Sequence, residues 1–425
     1  MRWLPAWRPW PRDSNAPDPP AMNSEAILRL SEAIAEDSLR GASEGDLLQG
    51  LCARAVAAGL PLKRAALGID TLHPVLGGHL FVWNRDTPAV RRDEYKRSTG
   101  LDESEGWLNS PFNYLLKSGE CILRRRIENT PKPADFPILD DLRAEGATDY
   151  LAFTNRFGEG AVIGTMDCVY SSWTGDRPGG FTDDEAQALE RLVPILAIAI
   201  RGVSVARIAH TLVETYLGHD AGSRVLKGNI ERGVSEPIRA VLWLSDLQGF
   251  TKIVDRTAAD QIVPLLNDYA DCLVSAIHAN GGQVLKFMGD GILGTFALDT
   301  AENACRRALA AGDAAFAGLA EVNKRRSAAG LPITRFDLAL HIGEVFYGNI
   351  GSAERLDFTV VGPAVNELAR IEAMGRSLEQ EVILSSAFAA SAGESRGRLV
   401  SLGRYALRGV SEPQELFTLL RPSAG

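Results

Sequence analysis

The feature that most constrains this chain is a pair of short segments that each place an aspartate where an apolar strand meets a tight turn. In residues 244–251 a buried apolar run ends at Asp246 and turns through a glycine into a helix. In residues 286–293 Gly289-Asp290 joins two apolar runs of strand length, which is the pattern of a tight hairpin. Each carboxylate stands at a strand end beside a glycine, and carboxylate oxygens are ligands that Mg²⁺ prefers. The two segments therefore predict a site for divalent metal.

Polar groups around these aspartates make up a set that suits a nucleotide triphosphate. The backbone N–H groups of Gly249, Phe250 and Thr251 open a helix, where phosphate oxygens are readily bound. Asn366 and Arg370 lie four residues apart and share one helix face. An arginine there can hold a charged phosphate in the transition state, and an asparagine can orient a ribose. Taken singly, these features also fit a turn aspartate that caps a helix or a polar helix face, and their combination favours nucleotide chemistry.

Length and charge limit the remaining choices. A chain of 425 residues predicts two or three domains, and its 45% apolar and 23% charged content is typical of a globular protein. The net charge of −9 does not favour nucleic acid as a partner. Short arginine clusters at 91–92 and 124–126 are interpreted as solvated surface. The cysteines are scattered along the chain and odd in number, which argues against a disulfide framework or a zinc site and favours a reducing, cytoplasmic location. They are Cys52, Cys121, Cys168, Cys272 and Cys305.

No segment is predicted to span a membrane. The longest apolar run, residues 192–200, is far shorter than the ~20 residues that a spanning helix needs. Residues 1–23 carry tryptophans among prolines and arginines, without the apolar stretch of a signal peptide. We expect a disordered leader there, with Met22 as an alternative start. A membrane-surface role for these tryptophans stays open as the alternative.

The first half predicts an α+β unit of sensor size. Thr182 and Glu185 have the capping-box spacing at the start of a long helix that runs towards Ala206. Before it, periodicity predicts helices within 24–60, strands at 65–69 and 80–83, a polar loop over 87–111, short helices at 113–116 and 139–145, and strands at 150–154 and 162–170.

This layout, over residues 24–203, resembles a GAF domain. The resemblance implies an antiparallel sheet flanked by helices, which often holds a small ligand and often dimerises. Nothing marks Cys121 for tetrapyrrole attachment, and His73 and His79 are interpreted as ordinary histidines. Residues 204–237 predict a helical connector that ends its first helix at Gly218 and could couple the halves. A passive spacer is the alternative interpretation.

The second half alternates strands and helices in a regular way. The pattern predicts a buried strand at 240–244, a helix up to the glycines at 281–282, hairpin strands at 283–288 and 291–296, a helix over 302–323, a strand at 336–342, a loop at 343–351, a strand at 359–361 and a helix that Pro363 opens. His341 falls within a strand pattern and is interpreted as structural.

These residues resemble the catalytic domain of class III nucleotidyl cyclases, over residues 238–420. The resemblance implies a ferredoxin-like βαββαβ fold and conversion of ATP or GTP to a 3′,5′-cyclic monophosphate and pyrophosphate. It implies two Mg²⁺ ions per site, which Mn²⁺ can replace. By this resemblance Asp246, Asp290 and the Leu247 carbonyl bind metal, Lys286 reads the purine, Asn366 and Arg370 form the transition-state pair, and Arg408 contacts the terminal phosphates.

The family site lies between two catalytic domains, and because this chain has one, a homodimer is expected. Adenylyl cyclases of the family usually have an aspartate seven residues before Asn366, where this chain has Thr359. Lys286 can donate to adenine N1 and the Thr359 hydroxyl can accept from N6, so ATP is the expected substrate. Thr359 also resembles a bicarbonate-stimulated subclass, which is a hypothesis. Guanylate cyclase, a degenerate ligand-binding regulator and a diguanylate cyclase are the alternatives, and the last lacks its characteristic turn.

Overall fold

A computed structural model of the chain describes residues 22–87, 89–96, 105–129, 133–407 and 412–420. The chain divides into two compact units, Met1–Leu212 and Val213–Gly425. The predicted leader, apart from Met22 and Asn23, and the predicted phosphate contact Arg408 lie outside the described residues. The architecture is mixed α and β, as the sequence predicts.

The first unit contains a six-stranded sheet in which every neighbouring pair is antiparallel, in the order β3-β2-β1-β6-β5-β4. Its core includes the long closing helix, whose residues Leu189, Leu192 and Leu196 are buried. Its elements are α1 (Ser24–Leu39), α2 (Glu44–Ala57), β1 (Leu62–Asp70), β2 (Leu76–Asn84), β3 (Arg91–Lys96), α3 (Glu105–Leu108), α4 (Pro111–Ser118), β4 (Ile122–Arg126), α5 (Pro137–Ala144), β5 (Asp149–Arg156), β6 (Cys168–Gly175) and α6 (Asp183–Leu217).

Two strands of this sheet were not expected from the sequence. β3 lies inside the predicted loop, and β4 precedes the predicted strand at 150–154. Both are edge strands and both are rich in charged residues, so they lack the apolar alternation that identifies a strand. The strand predicted at 162–170 begins instead at Cys168, because the residues before it form a tight turn closed by an isolated bridge between Ile163 and Met166.

Arg124 corrects the prediction of a solvated arginine cluster. Its Nη2 donates to Asp149 Oδ2 at 2.7 Å, and both side chains are buried. The predicted capping box is confirmed, since Thr182 N–H donates to Glu185 at 2.8 Å and Glu185 N–H donates to Thr182 Oγ1 at 3.2 Å. The helical stretch at 24–60 is two helices, because the chain turns at Gly41 and starts again at Ser43, which caps α2.

Helix α6 continues without a break into the first part of the predicted connector, and it ends just before Gly218 as predicted. Among the described residues it is the one helix whose length and composition would let it cross a membrane, and 44% of its most apolar window is buried within the structure. A core helix gives the same signal, and the buried leucines of α6 belong to the core of the first unit.

The second unit contains an eight-stranded sheet in the order β13-β14-β12-β10-β7-β9-β8, with β11 paired to β10. Its central part, β7-α9-β8-β9-α10-β10, has the predicted βαββαβ order with the strand arrangement β10-β7-β9-β8. The elements are α7 (His219–Leu226), β7 (Ser235–Leu247), α8 (Phe250–Val254), α9 (Ala259–Ala279), β8 (Gln283–Met288), β9 (Gly291–Ala297), α10 (Ala301–Ala328), β10 (Phe336–Gly351), β11 (Leu356–Val361), α11 (Pro363–Ser377), β12 (Val382–Ser385), α12 (Ser386–Ser391), β13 (Leu399–Tyr405) and β14 (Gln414–Leu419).

The predicted loop at 343–351 is wrong, because these residues continue β10 and pair with both β7 and β11. Their glycines indicated a loop, but Gly348 instead permits a close strand approach. A Cβ at Gly348 would lie 2.2 Å from the Val234 carbonyl oxygen. The predicted helix after Gln248 is interrupted between α8 and α9, and α7 lies in the region predicted as polar connector.

Candidate active site

The two predicted metal aspartates lie together in the second unit. Asp246 is near the end of β7, and Asp290 is in the turn between β8 and β9, while β7 and β9 pair up to Ser245 and Ile292. Burial, together with the charge of Asp290 and a side-chain hydrogen bond to it, raises the pKa of Asp246 to about 6. Two carboxylates this close repel each other unless they share a proton or a cation. The pair is therefore suited to a divalent ion.

Gly291 makes the approach of the two strand ends possible. A Cβ at this position would lie 3.0 Å from the Ser245 carbonyl oxygen and 3.3 Å from Asp246 Oδ1. Any larger residue would push on both the strand and the carboxylate. Steric contact therefore explains why a glycine follows Asp290, which the sequence pattern alone did not indicate.

The donor set fits Mg²⁺ or Mn²⁺ held partly by the protein. Within the described ranges no three His, Cys, Asp or Glu side chains group closely enough to form a metal cage. Asp246, Asp290 and the Leu247 carbonyl would supply oxygen ligands, and water and phosphate would complete the shell. Mg²⁺ is commonly bound in this way, through one or two carboxylates and substrate phosphates.

An arginine that the sequence reasoning missed contacts the metal aspartate directly. Arg376, in the last turn of α11, donates from Nη1 to Asp246 Oδ2 at 3.1 Å and from Nη2 to Glu372 Oε2 at 2.9 Å. Asp337, buried on β10, pairs opposite Asp246 and accepts from Gln248 Nε2 at 2.6 Å. No sequence signal pointed to these residues, since the partner strand and the end of α11 meet Asp246 only through the fold.

The predicted purine-reading residues lie on neighbouring strands, since β8 and β11 are in contact. Lys286 on β8 forms an ion pair with Asp357 on β11, with Nζ 3.7 Å from Oδ2. Thr359 is two residues further along β11, and therefore on the same face as Asp357. Thr359 is 4% exposed, and its Oγ1 has no hydrogen-bond partner among the described residues. The sequence did not indicate a role for Asp357, because its contact with Lys286 depends on how β8 and β11 meet in the fold.

Asn366 and Arg370 lie on α11, with Asn366 exposed and Arg370 partly exposed. Neither has a hydrogen bond or ion pair to another side chain in the part of the chain that is described. Arg376 is six positions after Arg370, which corresponds to about 9 Å of rise and a difference in direction of about 120°. The side chains of Arg370 and Arg376 therefore leave α11 in clearly different directions, and it is Arg376 that contacts Asp246.

The loop that was predicted to bind phosphate is open. Gly249 caps the five-residue helix α8 with a positive φ of 65°, and a Cβ there would meet nothing within 4 Å. Phe250 and Thr251 form the first turn of α8. His341 is buried, with Nδ1 2.9 Å from Ser385 Oγ, and burial lowers its pKa to about 4.

Comparisons with known proteins identify a family for the second half of the chain. Residues 236–421 match the family model described as adenylate and guanylate cyclase catalytic domain. Adenylate cyclase 1 of Rhizobium meliloti (strain 1021) is 30% identical over 182 residues, which are 39% of this chain and 27% of that protein. An adenylate cyclase of Anabaena cylindrica is 32% identical over 161 residues, 37% of this chain and 31% of that protein. This chain thus spans less than a third of the length of either relative.

Among solved structures, the adenylyl cyclase CyaB from P. aeruginosa is similar with a TM-score of 0.41 and 22% identity, covering 45% of this chain and 98% of that one. The guanylyl cyclase Cya2 is similar with a TM-score of 0.39 and 29% identity, covering 45% and 97%.

Proposed function

We propose that this chain converts ATP to 3′,5′-cyclic AMP and pyrophosphate. The adenylate and guanylate cyclase catalytic domain at residues 236–421 is the basis for this function. The observation that carries the proposal is the contact between the carboxylates of Asp246 and Asp290 at adjoining strand ends. Two relatives whose names state adenylate cyclase support the choice of ATP over GTP.

The reaction forms a bond between the ribose 3′-oxygen and the α-phosphorus and breaks the bond from that phosphorus to the pyrophosphate oxygen. Two Mg²⁺ ions at the aspartate pair would supply Lewis-acid activation of the hydroxyl and neutralise phosphate charge. Arg370 would hold charge that builds up on the α-phosphate, and Asn366 would orient the ribose. The N–H groups of Gly249, Phe250 and Thr251 would donate to phosphate oxygens.

The proposed active site needs two copies of the chain. Arg376 rather than Arg370 contacts Asp246 within one protomer, so Arg370 would act on the aspartates of a second copy. Exposed apolar side chains support a homodimer, since large apolar surface without a partner is uncommon on a protein. Phe287 and Met288 on β8 are 58% and 43% exposed, and Phe346 and Val361, which face each other across β10 and β11, are 50% and 42% exposed.

The base would be selected by Lys286 and Thr359. A lysine donates to the acceptor N1 of adenine, whereas guanine presents an N1–H that offers it no acceptor. The unpartnered hydroxyl of Thr359 can accept a hydrogen bond from the adenine N6 amino group. Because this hydroxyl is buried without a partner, a hydrogen bond from the ligand would offset its desolvation cost. Guanylate cyclase activity is the alternative that the assay must exclude.

The first unit would regulate the activity by binding a small molecule. It contains a cavity of about 530 Å³ between the sheet and α3–α5, lined in part by Arg64, Tyr150 and Ser172. Arg64 has no ion-pair partner among the described residues, and burial lowers its pKa. A GAF-like sensor role and bicarbonate stimulation belong to the same proposal. So does a cytoplasmic location, which agrees with five free thiols.

The test is a cyclase assay on the purified full chain, with Mn²⁺ or Mg²⁺ and with ATP or GTP in separate reactions. We expect cyclic AMP and pyrophosphate in equal amounts from ATP, and at least about tenfold less product from GTP. Asp246→Ala and Arg370→Ala should each abolish cyclisation while light scattering still shows a dimer. An inactive mixture of the two variants would contradict the shared site, because a mixed dimer restores one complete site.

A further inference from the structure

Arg376 contacts the predicted metal-binding aspartate and is also held by a buried glutamate. Glu372, one helical turn before it on α11, is 6% exposed and holds Nη2 at 2.9 Å, while Nη1 reaches Asp246 Oδ2 at 3.1 Å. The arginine side chain itself is 55% exposed. A guanidinium held at two points by a helix neighbour and by a strand end is fixed in position although one side of it faces solvent.

This guanidinium is the main positive charge among several acids. It forms ion pairs with Asp246 at 3.1 Å and Glu372 at 2.9 Å, and Asp337 lies opposite Asp246 where β10 pairs with β7. Asp290 adds a fourth carboxyl group beside Asp246. The site therefore carries an excess of negative charge that Arg376 offsets only in part, and a divalent ion would compete with it for the same carboxylate.

The two oxygens of Asp246 have different surroundings. Oδ1 faces the hairpin turn, where a Cβ at Gly291 would lie 3.3 Å from it, while Oδ2 accepts from Arg376. An ion shared with Asp290 would use the side of the carboxylate that faces the turn. A guanidinium on Oδ2 withdraws negative charge from that ligand and weakens its hold on a cation.

We propose that Arg376 is an internal counter-cation of Asp246, which holds this carboxylate in the absence of metal and lowers the affinity of the nucleotide-free enzyme for divalent cations. The consequence is that metal binds well only together with a nucleotide, whose phosphates add further oxygen ligands and further negative charge. Arg376 is thus a positioning residue that acts through Asp246. The inference rests on the proposed metal site at Asp246 and Asp290.

A purely structural role makes a different prediction. Arg376 stands in the last turn of α11, where an arginine favours the helix through its dipole and an i,i+4 pair. In that case replacement of Arg376 would change the stability of the protein slightly. It would change the metal affinity no more than replacement of any other nearby positive residue. Arg335 provides that comparison, since it lines a cavity of about 860 Å³ together with Asp337 and Arg376. It is 69% exposed and pairs with Glu381 at 3.2 Å.

The experiment compares Arg376→Met with Arg335→Met in the full chain, with Mn²⁺ binding measured by titration calorimetry and electron paramagnetic resonance in the absence of nucleotide. Both variants lose one positive charge. We expect Arg376→Met to bind Mn²⁺ about threefold to tenfold more tightly than wild type, and Arg335→Met to stay within about twofold. Arg376→Lys, which keeps the charge, should stay close to wild type. Equal affinities of the two methionine variants, or weaker binding by Arg376→Met, would overturn the proposal.

A fourth variant separates this proposal from the metal site on which it rests. Asp246→Asn should abolish the Mn²⁺ binding, both alone and combined with Arg376→Met. If Asp246→Asn still binds Mn²⁺ as wild type does, the metal site itself is wrong and both proposals fail. If it loses binding while Arg376→Met behaves like Arg335→Met, only the role of Arg376 is wrong. Circular dichroism melting checks that each variant is folded.

Discussion

Replacement of Thr359 by valine should stabilise the protein and weaken its use of ATP at the same time. The Thr359 hydroxyl is buried on β11 without a hydrogen-bond partner. Valine has nearly the same shape and carries no polar atom. Removal of an unsatisfied buried hydroxyl therefore relieves a desolvation cost, while removal of an acceptor for adenine N6 costs a hydrogen bond to the substrate.

The sizes of both effects follow from the same group. A buried polar atom without a partner costs about 1–3 kcal/mol, so Thr359→Val should raise the free energy of unfolding by about 1 kcal/mol once imperfect repacking is allowed for. A neutral hydrogen bond contributes about 1 kcal/mol net, which corresponds to about a fivefold loss in kcat/KM for ATP.

Thr174 offers a matched control. Its Oγ1 is also buried and has no partner among the described residues, but it lies on β6 in the first unit. Thr174→Val should stabilise the chain to a similar extent and leave kcat/KM for ATP unchanged. The measurements are urea unfolding followed by circular dichroism, and initial rates of cyclic AMP formation at saturating metal.

Either of two results would refute this reasoning. If Thr359→Val is destabilised by more than about 1 kcal/mol, its hydroxyl is satisfied in the free protein, and the cost that we infer does not exist. If kcat/KM for ATP stays within twofold of wild type while Thr174→Val behaves as expected, the hydroxyl does not contact the base.

Three further outcomes are expected. Burial lowers the pKa of His341 to about 4, so His341 takes up a proton in the unfolded chain at a higher pH than in the folded chain. The stability that this histidine contributes is complete above pH ~6.5 and is lost as the pH falls. Urea unfolding should show that the free energy of unfolding of wild type decreases by about 2 kcal/mol more than that of His341→Gln between pH 7.5 and 5. Gly291→Ala and Gly294→Ala should each cost about 1–3 kcal/mol in unfolding free energy, but calorimetry should show weaker Mn²⁺ binding only for the former, whose Cβ meets Asp246. Asp357→Asn should change the ATP KM by less than about fivefold, because an exposed ion pair at 3.7 Å is weak, whereas Lys286→Ala should raise it at least about tenfold in steady-state assays.

The sequence predicted the parts of the site that are formed locally. The hairpin at Gly289-Asp290, the strand that ends at Asp246 and the helix that Pro363 opens each depend on a few consecutive residues, and the structure contains all three. Their turn glycines and apolar runs are signals that act over short distances. The roles predicted for Asn366 and Arg370 remain predictions.

The sequence could not predict contacts that only the tertiary fold creates. Arg376 reaches Asp246 across 130 positions of the chain, and Asp337 faces it because β10 pairs with β7 in one particular register. The edge strand β3 was missed because its own sequence lacks the signal of a strand. Its charged residues avoid the apolar alternation of a strand, and its hydrogen bonds to β2 determine its conformation.

Helix α6 gives the two halves a shared element of secondary structure. Ile208 is buried in the apolar core of the first unit, while Leu217, at the end of the same helix, packs against that of the second. Unfolding of either half would remove the packing at one end of this helix, so we expect the helix to fray from that end. A protease cut within this helix would leave apolar side chains in water and make the separated fragments prone to aggregate.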